Sequence, residues 1–120
     1  MPNTNRPTIS THVLDVTRGE PAAGLAVSLW RLEPGRHNPS PPPASRVTDV
    51  EGRIGDLVDG PLAAGVYRLT FDVADYFRQR GDPAPFFNRV TLDVEVADPQ
   101  RRYHVPLLVT PFSCASYRGS

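Results

Sequence analysis

Between Gly65 and Ala74 the apolar residues Tyr67, Leu69, Phe71 and Val73 alternate with Arg68, Thr70 and Asp72. The run Arg89–Val96 repeats the pattern, with Val90, Leu92, Val94 and Val96 set against Thr91, Asp93 and Glu95. A period of two sends successive side chains to opposite faces, so each run predicts a strand with one buried and one wet face, the antiparallel pattern. Five further runs read as strands: Ser10–Val16, Leu25–Leu32, Val47–Val50, Tyr103–Val109 and Cys114–Tyr117. Turn formers separate them at Arg18-Gly-Glu-Pro, Glu51-Gly, Asp59-Gly-Pro and Ala64-Gly. Seven short strands at this spacing predict an all-β sandwich or barrel. Asp75–Arg80 lacks the alternation and predicts one short helix, capped by Asp75 and ended before Gly81. The segment Glu33–Ser45 carries Pro34, Pro39, Pro41, Pro42 and Pro43. It predicts a stiff, exposed connector in which His37 is a solvated bystander.

A chain of 120 residues builds one core, and no repeat or second domain interrupts it. Residues 1–8 read as a short N-terminal tail and 9–120 as one domain. The 13 cations balance 13 acidic residues, so there is no basic surplus for a nucleic acid partner or an anionic membrane surface. All the cations are arginine, which codon bias in a GC-rich genome explains. No apolar run reaches the length of a membrane span. The first residues carry no apolar signal region and the last no retention tripeptide, which predicts a cytoplasmic protein. Cys114, the single cysteine, forms no intramolecular disulfide and completes no local zinc spacing, so no metal site is expected.

Three polar features stand where a sandwich does not ask for them. His12 shares a face with Leu14 and Val16, and His104 sits in Tyr103-His-Val-Pro-Leu-Leu-Val. Taken singly, each histidine reads as structural. Imidazole is nevertheless the side chain whose ordinary pKa suits it to base chemistry near neutrality. Arg53 follows a Glu51-Gly52 turn, and the chain closes on Tyr117-Arg-Gly-Ser. Pro111 and Phe112 predict that this end packs down onto the body of the domain. There is no Gly-x-Ser-x-Gly nucleophile elbow and no glycine-rich phosphate loop.

The ordered motifs carry a resemblance. Ser10-Thr-His-Val-Leu-Asp, Pro21-Ala-Ala-Gly, Leu29-Trp-Arg-Leu, Asp49-Val-Glu-Gly-Arg53, Asp75-Tyr-Phe and Ala97-Asp-Pro are followed by Tyr103-His-Val-Pro-Leu-Leu-Val-Thr-Pro-Phe and the terminal Tyr-Arg-Gly-Ser. From about Ile9 to Ser120 the chain resembles the transthyretin-related family, and its ending resembles the enzymatic branch, the 5-hydroxyisourate hydrolases. The hormone-carrier branch lacks that ending and both strand histidines. The proline-rich segment looks longer than in the family, and Cys114 replaces another small residue or tyrosine.

The resemblance implies a transthyretin-like (prealbumin-like) antiparallel β-sandwich with one short helix. It implies a homotetramer, a dimer of dimers whose active sites lie along a central channel. It also implies cofactor-independent hydrolysis of the cyclic amide 5-hydroxyisourate to 2-oxo-4-hydroxy-4-carboxy-5-ureidoimidazoline in urate degradation. His12, Arg53 and His104 match the family's catalytic residues, and Tyr117, Arg118, Gly119 and Ser120 its substrate-lining tetrapeptide. Either imidazole can deprotonate water while the other holds the water or protonates the departing ring nitrogen. Arg53 supplies fixed positive charge for the oxygen that becomes anionic. Two other readings compete: a carrier that holds a small aromatic ligand without turnover, and an immunoglobulin-like interaction domain with structural histidines.

Overall fold

The computed structural model describes residues 6–33, 44–82 and 84–119. Most of the proline-rich segment, with His37, and the terminal Ser120 lie outside the described residues. Among the described residues nine strands and one helix follow in chain order: β1 (Ile9–Asp15), β2 (Glu20–Pro21), β3 (Ala26–Leu32), β4 (Ala44–Val47), β5 (Arg53–Ile54), β6 (Gly65–Phe71), α1 (Val73–Gln79), β7 (Val90–Val96), β8 (Tyr103–Thr110) and β9 (Ser113–Ser116). One sheet runs β2-β1-β8-β9 with β5 also paired to β1, and the other runs β4-β3-β6-β7. Every pairing is antiparallel except β1 with β8, which is parallel from Ile9↔Tyr103 to Asp15↔Val109.

The period-two reading holds residue by residue. Ile9 and Val13 from β1 and Leu107 and Val109 from β8 are buried, as are Val27, Leu29, Tyr67, Leu69 and Phe71 from the other sheet. Burying a side chain of this size contributes about 1.5–3 kcal/mol, so one such layer between two sheets suffices to hold the domain. Residues beside the core strands join it too. Thr8 is buried, its hydroxyl bonds Asp56, and its carbonyl accepts from the Tyr103 N–H.

Beyond small shifts at other strand ends, the sequence reading missed β2 and β5 and misplaced the start of α1 and the strand after the proline-rich segment. Asp72, not Asp75, caps α1: its carboxylate accepts from the Asp75 N–H, and Val73, expected at the end of a strand, is the first helical residue. Alternation continues through Val73 because its side chain is buried in either conformation. The strand expected over Val47–Val50 lies earlier, at Ala44–Val47, taking in the end of the expected connector. Beyond it the Thr48 hydroxyl donates to the Ala22 carbonyl at 2.6 Å and accepts from the Leu25 N–H at 2.9 Å, and Asp49 closes a turn that leaves Val50 exposed. Such side-chain bonds to the backbone compete with a ladder. Phe112 does not pack the C-terminal end down. It is exposed in the β8–β9 turn.

The helix is tied to the first sheet by a polar hub. The fully buried Asp15 carboxylate accepts from the Tyr76 hydroxyl at 2.8 Å and from the Arg18 N–H and guanidinium at 3.1 Å. Arg18 also reaches Asp82 at 3.0 Å, and the Arg80 guanidinium stacks 3.7 Å from the Tyr76 ring centre. Burial and the Asp15 bond push the Tyr76 hydroxyl up to about 12, so it stays a donor at any working pH. Tyr76→Phe removes one donor from a buried carboxylate and is expected to cost about 1–3 kcal/mol in denaturant unfolding. An unchanged midpoint would contradict the hub's role.

Candidate active site

The parallel pairing of β1 and β8 builds the site. On both strands the odd-numbered residues enter the core, so the even-numbered ones, Ser10, His12 and Leu14 with His104, Pro106 and Leu108, share the outer face. The register sets Ser10 beside His104 and His12 beside Pro106. His12 and His104 are thus diagonal neighbours across one ladder, a spacing that long side chains bridge.

Arg53 arrives from the other side of β1, where β5 pairs antiparallel and sets it opposite His12. The turn before it is fixed by Asp49, whose carboxylate accepts from the Glu51 and Arg53 N–H groups, each at 2.9 Å. Gly52 closes the turn with φ +76°, and its carbonyl accepts from the Val13 N–H at 2.7 Å. A Cβ there would stand 2.4 Å from the Val13 carbonyl oxygen, so the close approach of Arg53 to β1 requires glycine. The Arg53 guanidinium has no hydrogen-bond or ion-pair partner among the described residues and stays available to a ligand.

The C-terminal segment completes the wall. The β8–β9 register (Leu107↔Ser116) continued along the chain sets Gly119 opposite His104, and there the Gly119 N–H donates to the His104 carbonyl at 2.8 Å. Regular pairing stops short of this bond because Pro106 has no N–H to give. A Cβ on Gly119 would lie 2.6 Å from Cδ2 of the His104 ring, so the backbone rests directly on the imidazole. Arg118 points elsewhere, 5.0 Å from the Tyr103 ring centre. It lines, with Tyr117, a second groove of about 360 Å³ that includes Leu92, Val94 and His104.

Ser10, Arg53, Gly55, Arg102 and His104 line a cleft of about 380 Å³ on the outer face. Sequence reasoning missed Ser10, Gly55 and Arg102. Ser10 shares parity with His12, and Arg102 shares parity with His104, so the alternation that placed the histidines could also have placed them. Arg102 donates to the Arg6 carbonyl at 2.7 Å and to the Gly55 carbonyl at 3.4 Å. Ser10 Oγ lies 2.8 Å from His104 Nδ1. Burial chiefly, with His12, Arg53 and Arg102 adding to it, lowers the His104 pKa from its ordinary value. Both effects disfavour imidazolium. Among the described residues no group of three or more His, Cys, Asp or Glu is placed to hold a metal ion.

Comparison with known proteins is decisive at this point. The HIUase/Transthyretin family model matches residues 9–119. The chain belongs to the HIUase/Transthyretin family. It is 45% identical over 119 residues to the 5-hydroxyisourate hydrolase of Deinococcus radiodurans, covering 95% of this chain and 97% of that one. It is 40% identical over 117 residues to the 5-hydroxyisourate hydrolase of Halalkalibacterium halodurans, covering 93% and 97%. Among solved structures, Klebsiella pneumoniae 5-hydroxyisourate hydrolase superposes with a TM-score of 0.79 at 37% identity, over 94% of this chain and 99% of that one. Sea bream transthyretin in complex with thyroxine superposes with a TM-score of 0.78 at 29% identity, over 92% of each chain. The transthyretin-like sandwich with one short helix is therefore the fold of this family member.

The electrostatics predict a titration. His104 should lose its proton with a midpoint below 6.5, read from its ring resonances by NMR. Removing a neighbouring cation with Arg102→Ala relieves part of the pressure on imidazolium, so the midpoint should rise toward the ordinary value. A midpoint at or above 6.5 in the unaltered protein, or a fall in the variant, would refute the arrangement.

Proposed function

We propose that this protein is a cytoplasmic hydrolase that opens the ring of 5-hydroxyisourate by adding water to its lactam carbonyl. The observation that carries the reading is the convergence of His12, Arg53 and His104, distant in sequence, on one outer sheet face beside the C-terminal segment. The names of the bacterial relatives support the same reaction.

Amide hydrolysis asks for a base to take the proton of attacking water, positive charge for the carbonyl oxygen, and a proton for the departing nitrogen. A neutral imidazole can serve as base or as hydrogen-bond donor, and burial with the neighbouring cations favours the neutral form of His104. The free guanidinium of Arg53 is permanently charged, and its planar fork fits carbonyl and anionic ring edges. Gly119, whose backbone rests on the His104 ring, would form the wall against which the substrate lies. The chemistry assigns no step to a metal or organic cofactor. Cys114, a lone exposed thiol, is compatible with a reducing compartment.

The test is the ultraviolet band of freshly made 5-hydroxyisourate, whose decay the purified protein should accelerate over the spontaneous rate. His104→Asn and Arg53→Ala should each lower turnover by about 10²-fold or more. Near-normal turnover in both variants would remove the assignment. The thyroxine-bound neighbour makes a carrier the second reading, and a protein that binds a small aromatic ligand without hastening the decay would be that carrier.

We further propose a homotetramer. Each sheet has an edge strand with one side open among the described residues, β7 in one and β9 in the other, and β9 is exposed throughout. Such edges call for a partner. Light scattering should give four chains, and dilution that splits the assembly should reduce activity. A fully active monomer would contradict this.

A further inference from the structure

We propose that Ser10 is a positioning residue that holds neutral His104 as the tautomer protonated on Nε2, so that His104 presents a hydrogen-bond donor, not a base, to the carbonyl oxygen under attack. The inference rests on the hydrolase reading above and deepens it.

The argument is an accounting of hydrogens. Ser10 Oγ and His104 Nδ1 are 2.8 Å apart, and one hydrogen lies between them. Ser10 is only 9% exposed. Among the described residues its hydroxyl has no partner other than that ring nitrogen. If Nδ1 carried the hydrogen, the serine oxygen would accept it and the hydroxyl hydrogen would be left in a nearly closed site with no acceptor among the described residues. If the hydroxyl donates, both groups are satisfied by one bond. Buried polar groups take the satisfied arrangement. Nδ1 is then the acceptor, and the one hydrogen of the neutral ring sits on Nε2.

The surroundings favour the same state. The groups facing His104 electrostatically are His12, Arg53 and Arg102, and each disfavours a second proton on the ring. Arg53 and Arg102 line the same cleft. A neutral imidazole with Nε2–H cannot take a proton from water at that nitrogen. It can stabilise a developing oxyanion, as a neutral ring polarises a carbonyl elsewhere in enzymology. The remaining imidazole, His12, then handles the protons. Its ring takes one from water as the C–O bond forms and the carbonyl electron pair moves onto oxygen, where His104 and Arg53 meet it. When the C–N bond breaks, the protonated His12 returns that proton to the departing nitrogen. Protons and electron pairs balance with no further reactant.

The experiment is two-bond proton–nitrogen correlation NMR on the full chain labelled with 15N-histidine, with the His104 signals assigned by their loss in His104→Asn. Above the His104 midpoint, Nδ1 should show the shift of an unprotonated ring nitrogen and Nε2 that of a protonated one. Ser10→Ala removes only a hydroxyl, and in it the pattern should move toward the other tautomer or a mixture. The same variant should lose turnover by roughly tenfold with KM little changed, the loss typical when an imidazole's outer hydrogen bond is removed. A protonated Nδ1 in the unaltered protein, or an unchanged tautomer in Ser10→Ala, would overturn the proposal. A protein that shows the Nε2–H tautomer but does not hasten decay of 5-hydroxyisourate would overturn the hydrolase reading instead, so the two failures are distinguishable.

Discussion

The site depends on one backbone constraint, the parallel register of β1 against β8. Side chains alternate across a strand, so a slip of one residue would turn His12 or His104 into the core and bring Val13 or Val105 out. The core residues on the same strands forbid that slip. Ile9, Val13, Leu107 and Val109 are buried within the sandwich, and exposing them would forfeit several kcal/mol. The hydrophobic core therefore fixes the polar geometry on the opposite face, and Ser10 meets His104 because Ile9 and Val105 must point inward. Parallel pairing matters as well, since it sets the even residues of two strands far apart in sequence into one shared row.

Much of this was legible in the sequence, because burial writes itself as period two. The alternation in β6 and β7 located two of the four strands of the second sheet, and parity placed His12 on a face with Leu14 and Val16. Failures occurred where local hydrogen bonding overrode the pattern. Asp72 ended a strand and began a helix although Val73 kept the alternation, and the Thr48 and Asp49 side chains took backbone groups that a strand over Val47–Val50 would have used. The pairing of β1 with β8 was not legible, because strand order is a tertiary choice. The same holds for Ser10 and Arg102. Their parity was visible, but their roles in the cleft depend on which strands become neighbours.

The two ends of β1 treat charge in opposite ways. At one end Asp15 is buried and fully answered, with a phenol, a backbone amide and a guanidinium directed at its carboxylate. At the other, His104 is half-buried, and His12, Arg53 and Arg102 each disfavour its protonation. A protein built for stability alone would not gather cations around an imidazole, because each makes protonation costlier. The first arrangement stabilises the fold, and the second lowers the His104 pKa. Perturbed groups in clefts mark working sites for this reason.

The C-terminal segment links that tuning to the edge of the sheet. Gly119 reaches His104 only because β9 runs antiparallel to β8 and its register carries on past Pro106. Pro106 cannot donate to that ladder, so the segment is held by the Ser116 hydroxyl on the Pro106 carbonyl at 2.6 Å and by the Gly119 amide on the His104 carbonyl. With few bonds, its position follows that of β9, which is an edge strand with no neighbour on its far side among the described residues. A partner strand on that edge would restrain β9, and through it the glycine that lies on the imidazole. Such an assembly would couple to the His104 ring through one strand, because the absence of a Cβ at position 119 lets the backbone lie directly on the imidazole.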